Sequence, residues 1–260
     1  MSKSGRFAVL SVALALSFAL VDPASAQTTN GLVAYYSMTG NAHDDSSHGN
    51  DGNLSASGAT LTSDRLGQAN SAYQFDAASG GNILVHGSDS LDVGAADGLT
   101  IAAWLNPATV LTHRPIVEWG EWPSGPAGAH FWLGCCWDNG TWAVKEGALI
   151  ANIVDTNGNW HLFSTPCNQS ISVLSANSWQ HVALTYDKTT GMGSIYLNGN
   201  VVATEQLGAF TPRTSPSYSL HVGARPAEGL YYSGTMDELR IYGRALSGTE
   251  VSWLSGVVCR

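Results

Sequence analysis

Short runs rich in β-branched and aromatic residues recur from Leu32 to Tyr242, and Gly, Asn, Asp or Ser interrupts nearly every one of them. A chain broken this often cannot build long helices; it reads as strands joined by tight turns. The runs predict strands over 32–38, 59–62, 72–75, 83–85, 99–105, 115–119, 130–133, 141–144, 149–154, 160–163, 179–186, 193–197, 201–205, 219–222 and 236–242. Between Trp179 and Tyr186, Gln180, Val182, Leu184 and Tyr186 alternate with Trp179, His181, Ala183 and Thr185, the pattern of an antiparallel strand. Asn198-Gly199 between two such runs is a strong hairpin signal. Ser247 and Glu250 form a Ser-x-x-Glu capping box before Val251 and Leu254, which predicts one short helix near the end. Strands do not alternate with helices, so a parallel α/β sheet is excluded. The expected fold is all-β: an antiparallel two-sheet β-sandwich or jelly roll with one short C-terminal helix.

The first 26 residues are set apart from this pattern. Lys3 and Arg6 precede an apolar run over 7–21, and Ala24-Ser25-Ala26 supplies the small-x-small site of a signal peptidase. The run falls short of the ~20 residues that span a bilayer, and no later run reaches that length. The expectation is a signal peptide over 1–26, one domain over 27–260, and a secreted or periplasmic protein without a membrane span. With 11 basic residues against 20 acidic ones and a net charge of −9, the chain lacks the clustered cations that nucleic-acid binding requires.

An exported chain keeps its cysteines in an oxidising compartment. Cys135, Cys136, Cys167 and Cys259 allow two disulfides in three pairings. Neighbours on a strand point to opposite faces, so Cys135 and Cys136 are each expected to bridge a distant partner, one Cys167 and the other Cys259. A zinc site is disfavoured because no Cys-x-x-Cys spacing occurs.

Several segments, taken in order, resemble the bacterial laminin-G-like domains of the concanavalin A-like lectin/glucanase jelly rolls. They are GLVAYY at 31–36, GNAHD at 40–44, GNDG at 49–52, AYQFD at 72–76, LTIAAWL at 99–105, WQHVALTYD at 179–187, IYLNG at 195–199, GTMDELRIY at 234–242 and RALS at 244–247. The segment at about 118–167 departs from the family; it carries Trp119, Trp122, Trp132, Trp137, Trp142 and Trp160 and three of the four cysteines.

Paired carboxylates would mark a hydrolase. Glu118 and Glu121 lie three apart, which on a strand places them on opposite faces, whereas a retaining glycosidase needs them about 5–5.5 Å apart. The alternating triple-acid strand motif of related glucanases is missing, and so is a Gly-x-Ser-x-Gly elbow. The expectation is no catalytic residue, with a glycoside hydrolase using Glu118 or Glu121 as the rival. Trp119, Trp122, Trp137 and Trp142 lie among Gly, Pro, Asp and Asn, as loop residues do, and are the expected ligand-binding residues for glycan; they equally suit a small disulfide-stapled subdomain. Trp104, Trp179 and Trp253 fit regular patterns and are expected in the core. An oxygen-rich loop over 41–52 suits Ca²⁺ or, as simply, Asx turns. The family resemblance implies a structural Ca²⁺ between this loop and the acid before the last strand, with Asp237, Asp44 and Asn41 as ligands. The function expected is a secreted, non-catalytic glycan-binding module; an adhesive or structural protein that binds another protein is the second alternative.

Overall fold

The computed structural model describes residues 29–55, 57–120, 128–138, 140–168 and 173–256. In chain order the strands are β1 (Leu32–Tyr36), β2 (Gly52–Leu54), β3 (Ala59–Thr62), β4 (Ala72–Phe75), β5 (Ile83–Val85), β6 (Gly98–Pro107), β7 (Arg114–Trp119), β8 (Ala129–Asp138) and β9 (Thr141–Val154). They continue as β10 (Trp160–Ser164), β11 (Gln180–Asp187), β12 (Met192–Leu197), β13 (Asn200–Gln206), β14 (Leu220–Val222), β15 (Ala224–Arg225), β16 (Leu230–Tyr231) and β17 (Gly234–Tyr242), and helix α1 (Gly248–Leu254) follows. This is the expected all-β architecture. One sheet runs β13-β12-β11-β6-β17-β4-β3, with β1 also on β17; the other runs β10-β9-β8-β7-β14-β5-β2. The pairings within both sheets are antiparallel.

The core lies between the sheets. Val182, Leu184 and Tyr186 of β11 enter it from the first sheet, and Val117, Phe131, Leu133, Leu149 and Ala151 from the second. Burying a side chain of this size contributes roughly 1.5–3 kcal/mol. The other face of β11 is buried too, since Ala183 joins Ala102, Tyr196, Tyr242 and Val251 beneath α1. Ser247 and Glu250 cap that helix reciprocally, as their spacing predicts. Asn198 and Gly199, both at positive φ, make the β12–β13 hairpin.

Two differences from the sequence reading matter for the site. The runs over 141–144 and 149–154 are one 14-residue strand, β9, because Lys145 to Ala148 bulge opposite Gly134. Gly134 must be glycine there: its φ is +80° and a Cβ would lie 2.1 Å from the Thr112 carbonyl. Strands β2, β15 and β16 were not foreseen; with two or three residues each they are too short to carry a period. No helix among the described residues is long and apolar enough to cross a membrane.

Candidate functional site

The second sheet carries an unusual row on its outer face. Val117 and Trp119, Phe131 and Leu133, and Ala151 and Ile153 point into the core, so the residues between them point away from it. Strand register then sets His221, Glu118, His130, Asn152 and Leu162 side by side across five strands. Trp132 and Ile150 form the adjacent pair.

This row is not left to solvent. Arg225, from β15, reaches over it: its Nε donates to Glu118 Oε1 at 2.7 Å, and its guanidinium lies 4.3 Å from the Trp132 ring centroid. Trp132 Nε1 donates to Glu118 Oε2 at 2.7 Å, and His130 Nδ1 lies 2.8 Å from Oε1. Burial alone would raise the Glu118 pKa, but the charges and hydrogen bonds of His130, Arg225 and Trp132 outweigh it and hold the carboxyl below its ordinary value. Glu118 is therefore an ionised anchor with both oxygens engaged. It is poorly suited to act as a general acid, which needs a carboxyl protonated near neutral pH. Glu121 lies outside the described residues.

Beside this network is a cavity of about 320 Å³, within the usual size range of small-ligand pockets. Its floor is Trp132, Cys135, Ile150 and Asn152, each less than a tenth exposed. Its rim is Trp142, Val144 and Trp160, which are 51%, 66% and 45% exposed. His113 stacks on Trp132 from the side, and Arg225 and Glu228 close the polar edge. The geometry offers flat apolar rings at the mouth and a small set of polar side chains, His113, His130, Asn152, Arg225 and Glu228, around an apolar floor.

The expected ligand residues divide. Trp142 lines the cavity, and Trp137 packs edge-on against it at 5.6 Å between centroids. Trp119 does not: it is completely buried in the core, because it closes β7 in phase with Val117. Its loop assignment is corrected by the same alternation that turns Glu118 outward. Trp122 lies outside the described residues. Trp104, Trp179 and Trp253, expected in the core, are half-buried instead. Sequence reasoning missed Trp132, Trp160, Asn152 and Arg225. The period of β8 places Trp132 on the outer face, whereas Arg225 meets Glu118 across 107 residues, with no local signal.

Cys136 is bridged to Cys167, which ties β8 to the chain beyond β10. Cys135 does not meet the expectation of a second bridge: it holds a free, buried thiol in the cavity floor, on the opposite face of β8 from Cys136. Burial pushes that thiol's pKa up to about 12. The expected partner, Cys259, lies outside the described residues.

The residues expected to hold Ca²⁺ do not form one ligand set. Asp237 is buried against Arg65, whose Nη1 donates to its Oδ2 at 2.7 Å. Asp44 accepts the backbone N–H groups of Tyr35, Ser46 and Asn50, each at 2.9 Å, and Asn41 accepts that of His43 at 2.8 Å. The loop is closed by Asx hydrogen bonds, and Asp237 is paired with Arg65, although burial and the neighbouring Glu238 carboxylate still push its pKa up to about 6. Among the described residues no group of three His, Cys, Asp or Glu is arranged to hold a metal ion.

Comparison with known proteins places this geometry. No curated protein sequence matches the chain. Among solved structures, the binding domain of Paraclostridial Mosquitocidal Protein 1 is similar over 88% of this chain and 52% of its own, with TM-score 0.66 and 19% identity. Domain 4 of AbnA, an extracellular GH43 arabinanase from Geobacillus stearothermophilus solved with arabinotriose, is similar over 86% of this chain and 98% of its own, with TM-score 0.60 and 19% identity. The botulinum neurotoxin serotype D ligand binding domain, solved with N-acetylneuraminic acid, covers 90% of this chain and 52% of its own, with TM-score 0.63 and 13% identity. The chain thus spans about half the length of these toxin domains. The Laminin_G_3 family, described as Concanavalin A-like lectin/glucanases superfamily, matches residues 78–252. With that match covering most of the sandwich, the chain belongs to the Laminin_G_3 family of the concanavalin A-like lectin/glucanase superfamily.

Proposed function

We propose that this protein is an exported carbohydrate-binding module without hydrolytic activity, and that the sugar sits in the cavity on the outer face of the second sheet. The observation that carries this reading is the cavity itself, with exposed Trp142 and Trp160 at its mouth, Asn152 in its floor, and Arg225 and Glu228 at its polar edge. Flat rings stack on the C–H faces of a pyranose or furanose, and a few placed polar groups select among hydroxyls. The arabinotriose bound to AbnA domain 4 and the N-acetylneuraminic acid bound to the serotype D domain support a glycan ligand on this fold. Glu118, the one carboxylate of the expected acid pair within the described residues, is locked by three partners, which supports binding without catalysis.

A glycan array probed with the wild-type protein and with Trp142→Ala tests this. Glycans retained by the wild type should be lost or weakened about tenfold in the variant, while its melting temperature is unchanged. Release of reducing sugar from laminarin, agarose or xylan that disappears in Glu118→Gln would overturn the non-catalytic reading.

A further inference from the structure

Asn152 is only 6% exposed, lines the cavity, and its side-chain Oδ1 has no hydrogen-bond partner. A buried acceptor left unpaired is costly, so such a group is conspicuous in a folded protein. The amide turns about a soft terminal torsion, which lets Oδ1 meet a donor entering the cavity. The surroundings limit what that donor can be. On the same face, two residues away, stands Ile150, beside Trp132 and Cys135, and these three form one apolar cluster. A ring hydroxyl that reached Asn152 would bring neighbouring hydroxyls against this cluster, where nothing pairs with them, at a desolvation cost. A donor flanked by a methyl group avoids that cost. The charge at the polar edge adds a second constraint. Arg225 is paired with Glu118 at 2.5 Å and with Glu228 at 3.4 Å, so two carboxylates surround one guanidinium. A ligand that brings another carboxylate has to compete with Glu118 and Glu228 for that guanidinium.

Resting on the glycan-binding reading, we infer that the ligand is a neutral acetamido sugar. Its amide N–H donates to Asn152 Oδ1, and its acetyl methyl packs against Ile150, Trp132 and Cys135.

Tryptophan fluorescence titration of the wild-type protein with N-acetylglucosamine, N-acetylgalactosamine, glucose, galactose and N-acetylneuraminic acid tests this. The expected result is that at least one acetamido hexose binds about tenfold more tightly than its parent hexose, and more tightly than N-acetylneuraminic acid. Asn152→Ala should erase most of the preference, bringing the acetamido hexose down toward the affinity of its parent hexose, with the melting temperature in place. The wild-type preference stands as a test even if that variant folds poorly. Equal affinity for each hexose and its acetamido form would overturn the inference and leave the glycan site standing. Tighter binding of N-acetylneuraminic acid would overturn the neutral class. No response to any sugar, together with an empty glycan array, would remove the glycan site and this inference with it.

Discussion

The Glu118 carboxylate accepts from Trp132 and Arg225 and lies 2.8 Å from His130 Nδ1, in a space almost closed to water. Removing one member of such a pair strands the others, which costs about 3–5 kcal/mol. Glu118→Ala should therefore lower stability by roughly that amount and loosen Arg225 from the Trp132 ring. The pH dependence follows from the direction of the shift. The folded-state pKa lies below the ordinary value, so the stabilisation is complete above about pH 4.5 and is lost as pH falls through the folded-state value. Urea denaturation of wild type and Glu118→Gln between pH 3 and 7 checks this: the gap between the two should narrow on the acid side and stay constant near neutrality. Trp119 shows the opposite kind of dependence. With no exposed surface, Trp119→Ala should cost about 3–5 kcal/mol through the cavity it leaves, whereas Trp142→Ala should leave stability within about 0.5 kcal/mol.

At the scale of elements, the binding rim stands on the β8–β9 hairpin, whose far end would be weakly held by its two strands alone. The Cys136–Cys167 bridge and the Trp137 N–H to Ser164 Oγ hydrogen bond at 2.9 Å fasten it to β10 and the chain just beyond. The bridge closes a separation of 31 residues, for which chain entropy gives about 3–4 kcal/mol. Reduction, or Cys136→Ser with Cys167→Ser, should lower the melting temperature and weaken sugar binding in the same sample. Cys135, one residue away, should stay inert, since burial raises its pKa to about 12 and removes the thiolate that reacts. Labelling of the native protein with a charged thiol reagent should therefore leave Cys135 unmodified until denaturant is added. Rapid native labelling at Cys135 would show that the cavity floor opens.

At the scale of the molecule, β17 gathers the ends of the chain. It pairs with β1 on its C-terminal half and with β4 on its N-terminal half, and a bulge between the two places Glu238 at φ +50°. Arg65 binds both Asp237 and Glu238, and Arg240 binds Glu238 again, so guanidinium groups take the place that a cation would fill between these acids. Chelator and millimolar Ca²⁺ should thus give superimposable melting curves. Arg65→Ala should destabilise the protein, because it leaves the buried Asp237 carboxylate uncompensated. A melting temperature that rises with Ca²⁺ and falls with chelator would restore the metal to this end of the sandwich.

Much of this was legible in the chain. The turn residues and the period of two specified an antiparallel sandwich, Asn198-Gly199 specified a hairpin, and Ser247 with Glu250 specified a capped helix, because each depends on backbone preferences acting over a few residues. The same period, carried along the strand expected over 115–119, placed Glu118 outward and Trp119 inward. What local pattern could not supply was the company each side chain keeps. Arg225 reaches Glu118 across 107 residues, and Arg65 reaches Asp237 across 172. The cavity exists only where a bulged β9, the chain before β7, and β10 and β15 meet over one sheet face. Strand and turn propensities are local free energies, fixed by neighbours in sequence; a binding site is a convergence of distant segments, and only the packing of the two sheets brings them together.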